Sequence, residues 1–160
     1  MTRGKSRSEP HGRRKGEPSP QRLRQYAALP WRLRPDGDVE VLLITSRETR
    51  RWVIPKGWPM KAFRPHQAAA REAWEEAGVE GRSGARKIGV FDYDKRLSGG
   101  QLQPVRVEVY PLEVLEVHEI WPEAHERQRQ WMPPSEAAAL VDESGLASLL
   151  GAFEGRPASG

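Results

Sequence analysis

The 160-residue chain has no cysteine. Disulfides and thiolate zinc sites are therefore excluded, and a reducing compartment such as the cytoplasm is the expected setting. No apolar run approaches the roughly 20 residues that a membrane-spanning helix needs. The basic N-terminus is not followed by an apolar stretch, so it does not read as a secretory leader. What remains is 37% hydrophobic and 30% charged, which suits one globular domain with polar ends.

The net charge of +4 is unevenly spread. Residues 1–24 carry eight basic side chains (Arg3, Lys5, Arg7, Arg13, Arg14, Lys15, Arg22, Arg24) against Glu9 and Glu17, or +6, which leaves −2 for the rest. The first twenty-odd residues offer almost no apolar surface to offset ordering entropy. Residues 1–22 are expected to be a disordered basic leader, 23–153 the folded domain and 154–160 a loose end. The leader reads either as a solvated tail or as an arm for phosphate-rich partners such as nucleic acid.

Within the body, Tyr26 to Leu33 reads as a strand interrupted or edged at Pro30. Val39 to Thr45 is a buried apolar strand, and Arg51 to Ile54 a short one that Pro55 ends. Pro65 to Ala77 is the best helix, with proline in its first turn and Gly78 placed for a left-handed cap. Lys87 to Tyr93 and Val105 to Val117 read as strands. In the second, Val105, Val107, Val109 and Pro111 alternate with polar neighbours. Pro134 to Leu150 is helical, with a break at Ser144–Gly145. Strands before and after a central helix predict a layered α/β domain.

The central helix contains Arg71-Glu72-Ala73-Trp74-Glu75-Glu76-Ala77-Gly78-Val79. At about 100° per residue, Glu72, Glu75 and Glu76 share one face within about 100° of arc. Like charges that close repel, so helix energetics does not favour the arrangement, whereas an oxygen-seeking divalent cation would. A solvated acidic helix with Trp74 as a core anchor is the alternative.

These residues resemble the Nudix box. The pattern places a glycine (Gly57), five residues, a glutamate, seven residues, then Arg-Glu-apolar-any-Glu-Glu-any-Gly-apolar (Arg71 to Val79). The five fixed residues of the second half would match by chance about once in a million starts. One position departs: Phe63 stands where the family's first glutamate belongs. That glutamate usually supports the box arginine, so Arg71 is expected to pair with Glu75 one turn on, or with a residue not placed.

The resemblance implies an α/β/α sandwich with a mixed central sheet and a Mg²⁺-dependent hydrolase, with Mn²⁺ as an alternative metal, that cleaves phosphoanhydride bonds. Glu72, Glu75 and Glu76 would be metal ligands together with the backbone carbonyl of Lys56. Arg71 would belong to the catalytic set, and Gly57 and Gly78 would be structural. The general base varies in the family, and Glu119, Glu123 and Glu126 are its candidates here. Upstream, Thr45-Ser46-Arg47 and Trp52-Val53-Ile54-Pro55-Lys56-Gly57 are similar to the branch that acts on diphosphoinositol and dinucleoside polyphosphates.

Ser46, Arg47, Arg51 and Lys56 would bind substrate phosphates, with simple surface charge the alternative for Arg47 and Lys56, and Lys95 and Arg96 either form a second basic wall or read as surface charge. Arg50 reads as surface charge. His66, His118 and His125 lack metal-pair spacing and stay unassigned. Trp131 reads as packing. Two other readings remain: a Nudix-fold module that binds a phosphorylated ligand without turnover, with Phe63 as its only support, and an RNA-end pyrophosphohydrolase. No stacking platform for the latter is evident.

Overall fold

A computed structural model of the chain describes residues 22–156. The basic leader up to residue 21 and residues 157–160 lie outside the described residues. The elements in chain order are β1 (Leu23–Leu33), β2 (Val39–Thr45), β3 (Trp52–Val53), β4 (Lys56–Gly57), α1 (Pro65–Ala77), β5 (Val79–Ser83), β6 (Gly89–Arg96), β7 (Leu102–Val117), β8 (Arg129–Met132), α2 (Pro134–Leu140) and α3 (Ser144–Gly151). No helix among the described residues is long and apolar enough to cross a membrane.

The eight strands form one mixed sheet. Its centre is the parallel pair β1 and β7, registered from Leu23 opposite Val105 to Trp31 opposite Glu113. Every other pairing is antiparallel: β2 and β4 on β1, β3 and β8 on β2, and β5 and β6 on β7. Both faces are covered. Ala69, Ala73 and Ala77 of α1 pack on Ala28, Leu42, Ile44 and Leu112. On the opposite face Ala137, Leu146 and Leu150 of α2 and α3 pack on Leu29, Trp31, Val41 and Val107. Alternate residues of β1 and β2 thus go to opposite cores, so both strands read as continuous apolar runs. The layered sandwich expected from the sequence is the observed architecture.

Three local expectations are corrected. Pro30 neither interrupts nor edges its strand, because β1 runs through it with Pro30 opposite Leu112 of β7. Its nitrogen shares a side with that of Ala28, which donates to the Pro55 carbonyl at 3.0 Å. On that side β4 pairing ends at Ala27 and β2 pairing begins at Trp31, so the missing N–H falls in a gap. In β7, Val105, Val107 and Val109 are buried as expected, but burial then shifts to Tyr110 and Leu112 rather than Pro111. Those two face α1, because the strand passes from cover by one helical layer to cover by the other. The C-terminal helix breaks at residues 141–143, just before Ser144, which opens α3.

Candidate functional site

Helix α1 is locally encoded. Pro65 occupies its first turn, and the Arg64 N–H donates to the Gln67 side chain at 2.9 Å. Gly78 ends it in the left-handed conformation at φ 70°. The alanine face lets the helix lie close to the sheet, which turns Glu72 and Glu76 towards β4. Gly57 abuts them: a methyl group there would collide with the Glu72 carboxylate. The Lys56 N–H donates to Glu76 Oε1 at 3.3 Å.

Glu72 and Glu76 line a cavity of about 680 Å³. Glu76 is only 8% exposed. Burial, the neighbouring Glu76 charge and a hydrogen bond to Glu76 push the Glu72 carboxyl up to about 8. Burial also raises Glu76, against the opposing pull of Arg127 and Lys56. Two adjacent carboxyls with burial working against the charge on both form a set of hard oxygen donors, which suits a divalent cation such as Mg²⁺.

Glu75 is directed elsewhere. Its Oε2 accepts from Arg71 Nε at 2.9 Å, the pairing expected with Phe63 in the glutamate position. Phe63 itself is 47% exposed.

The segment 118–129 wraps the C-terminal end of α1, which has no basic residue in its own last turn. The Glu123 N–H donates to the Glu75 carbonyl at 3.1 Å, and Trp121 Nε1 to the Glu76 carbonyl at 3.1 Å. The His118 N–H donates to the Gly78 carbonyl at 2.9 Å. Arg129 donates to the Ala77 and His118 carbonyls at 2.8 and 2.6 Å, with its guanidinium 3.9 Å from the Trp121 ring centroid. Carbonyls that a helix end leaves without partners are thus satisfied from one strap, and a cation meets the negative end of the dipole.

The strap brings Glu123 to the cavity, where Arg127 Nε holds its Oε1 at 2.7 Å. Arg127 also donates to the Thr45 carbonyl at 3.0 Å and lies 3.7 Å from Glu76 Oε1. Of the three base candidates, Glu123 alone lines the cavity. Glu126 pairs with Arg47 at 3.1 Å, and Glu119 is exposed.

The expected phosphate donors divide into tied and untied groups. Arg47 and Arg51 line the cavity, but Arg47 is held by Glu126, and Arg51 by Asp142 and Glu143 at 3.2 Å each. The Ser46 hydroxyl is engaged in its turn, 2.6 Å from Thr49 Oγ1, and accepts from the Arg51 N–H. Arg50 caps the Glu126 carbonyl outside the cavity. Lys56 makes no ion pair within 4.0 Å among the described residues, and its ammonium lies 5.0 Å from the Tyr93 ring centroid. Burial lowers its pKa, partly offset by Glu76 and Glu143. Lys95 and Arg96 line the same cavity from β6.

A NUDIX domain model matches residues 23–151. The chain belongs to the Nudix hydrolase family. It is 36% identical over 123 residues to Nudix hydrolase 18, mitochondrial, of Arabidopsis thaliana, covering 72% of this chain and 67% of that protein. It is 37% identical over 111 residues to human diphosphoinositol polyphosphate phosphohydrolase 3-beta, covering 68% of this chain and 63% of the relative. The chain thus spans about two thirds of these relatives' length. A C. elegans Ap4A hydrolase shares the fold, with a TM-score of 0.58 at 21% identity over 82% of this chain and 95% of that one.

Glu72, Glu76 and Gly57 of the Nudix box and Lys56 just before it are thus in one place, and Arg71 and Glu75 form a pair beside them. Sequence reasoning missed Arg127, Tyr93 and Gln25 in the cavity. The spacing of Arg127 four residues after Glu123 was the available signal for the first. Tyr93 donates to Gln25 Oε1 at 2.8 Å, a contact between distant strands that no local pattern announces.

Among the described residues, the histidines stay outside the cavity lining. His66 Nδ1 lies 2.8 Å from the Ser83 hydroxyl, and His125 is exposed. His118 Nε2 lies 2.9 Å from Glu80, and with Glu116 these two form a largely exposed cluster apart from the box. Trp131 packs in the core under Arg32, as expected.

Proposed function

We propose that this chain hydrolyses a phosphoanhydride bond in a nucleoside- or inositol-polyphosphate type of substrate, with Mg²⁺, or Mn²⁺ in its place, as cofactor. The observation that carries this reading is the juxtaposition in one cavity of the Glu72–Glu76 carboxyl pair with Lys56, a half-buried ammonium that makes no ion pair within 4.0 Å among the described residues. One set invites a cation and the other a phosphate.

Glu72 and Glu76 are the metal ligands of this reading, joined by Glu75 when Arg71 releases it and by the Lys56 carbonyl. Bound there, the cation would neutralise charge on the phosphates and lower the pKa of water. Lys56 holds a phosphate oxygen. Arg47 and Arg51 exchange their carboxylate partners for further oxygens of a long substrate, and Lys95 and Arg96 face them. Glu123, oriented by Arg127, accepts the proton of the attacking water. A chain without cysteine suits the cytoplasm, and a small phosphorylated molecule is the expected partner.

The test is release of phosphate or nucleotide at slightly alkaline pH with and without Mg²⁺. The panel holds a dinucleoside polyphosphate, a diphosphoinositol polyphosphate, a nucleoside triphosphate, a nucleotide sugar and 5′-triphosphorylated RNA. Metal-dependent turnover is expected, with a loss of at least about 10²-fold in Glu76→Gln. Near-normal turnover by Glu76→Gln would sink the metal assignment. Ligand binding without turnover on the whole panel would support the non-catalytic module.

A further inference from the structure

We propose that Trp58 is a stacking platform for the base of the substrate, so that the cavity takes a nucleoside polyphosphate rather than an inositol diphosphate. This rests on the reading above, in which the diphosphate lies against Glu72, Glu76 and Lys56.

The chain has six tryptophans, and five of them are committed to packing or to a named partner. Trp31 stacks edge-on with Phe153, and Trp74 with His118. Trp121 lies under Arg129, Trp131 lies under Arg32, and Trp52 packs on the core. Trp52 and Trp58 have no ring, hydrogen-bond or cation partner among the described residues, but Trp58 alone also stands outside both core clusters, 42% exposed. A single exposed apolar side chain needs no explanation by itself. Its place does, because Trp58 lines the cavity of Glu72 and Glu76 and directly follows Gly57, whose backbone abuts the Glu72 carboxylate.

Pro59 follows and biases the Trp58 backbone to the extended region, which narrows the directions in which the chain can carry the indole. Leu102, 54% exposed, is the other large exposed apolar side chain lining this cavity. The metal-binding floor therefore meets an aromatic and aliphatic rim.

The two substrate chemistries differ at that rim. A nucleobase presents a π face, and stacking on an aromatic ring tolerates any base. A polyphosphorylated inositol presents charged groups around its ring and no π face, so it can use the basic side chains of the cavity but gains nothing from the indole.

Calorimetric titration of the full chain in Mg²⁺ buffer with ADP and with methyl diphosphate tests this. Both are diphosphate monoesters, and only ADP carries a base. The wild type is expected to bind ADP about tenfold or more tightly than methyl diphosphate. Trp58→Ala should remove that advantage while leaving methyl diphosphate affinity where it was. Trp58→Phe should keep most of it. Equal wild-type affinities, or an ADP advantage that survives Trp58→Ala, would overturn the stacking proposal and leave the diphosphate reading intact. Failure of both ligands to bind would remove the diphosphate reading and the stacking with it.

Discussion

At the scale of single residues, the site is built from charges placed where they repel or where burial works against them. Burial and the neighbouring Glu76 raise the Glu72 carboxyl, burial lowers Lys56, and Arg127 is drawn in to hold Glu123. Glu123→Gln keeps the shape and the backbone bond to Glu75 while it removes the proton acceptor. We expect kcat to fall by about 10²-fold or more with little change in KM, and Glu119→Gln to stay within about twofold of wild type. Equal kinetics for the two variants would end the assignment of the base to Glu123.

The box glutamates and Gly57 were legible because a motif fixes them at short range. The partners of the arginines were not. Arg127 meets Thr45 across 82 positions and Arg51 meets Asp142 across 91, and no local periodicity reports such pairs.

At the scale of elements, legibility followed length and locality. Val39–Thr45 and Pro65–Ala77 emerge with the boundaries the pattern set, because apolar runs, a first-turn proline and a terminal glycine act within a few residues. The two-residue β4 and the strand β5 carry no such signal, for only their neighbours in the sheet make them strands. The helix end makes its own demand. Gly78 sits at φ 70°, with Trp121 Cδ2 and Arg129 Nη1 at 2.6 and 2.7 Å from where a Cβ would stand. Gly78→Ala combines a left-handed penalty with overpacking and should destabilise the protein by about 2–4 kcal/mol in denaturant unfolding. A loss below about 0.5 kcal/mol, the range of ordinary surface substitutions, would mean that the strap yields freely there.

For the whole molecule, the raised carboxyl ties stability to pH and to the metal. The folded protein keeps a proton on Glu72 up to about 8, whereas the unfolded chain releases it near 4.5. Between those values the native state binds more protons. This group therefore lowers the stability of the metal-free protein as pH rises through that window, and the cost vanishes below it. A cation competes with the same proton, so its contribution should grow as pH rises. Melting curves with and without Mg²⁺ at about pH 6 and about pH 9 should show the larger Tm increment at the higher pH. Equal increments would take the Glu72 carboxylate out of the metal site.

The strap of residues 118–129 has a bearing on redesign. Because it is hydrogen-bonded to the carbonyls of the box helix, that wall ties Glu123 and Arg127 to the helix that carries Glu72 and Glu76. The opposite wall, the end of the β6–β7 hairpin with Lys95, Arg96 and Leu102, lines the same cavity and makes no ion pair to Glu72, Glu76 or Glu123 among the described residues. An engineer who wanted this scaffold to accept a new cargo would exchange the hairpin and the Trp58 rim and leave the strap untouched.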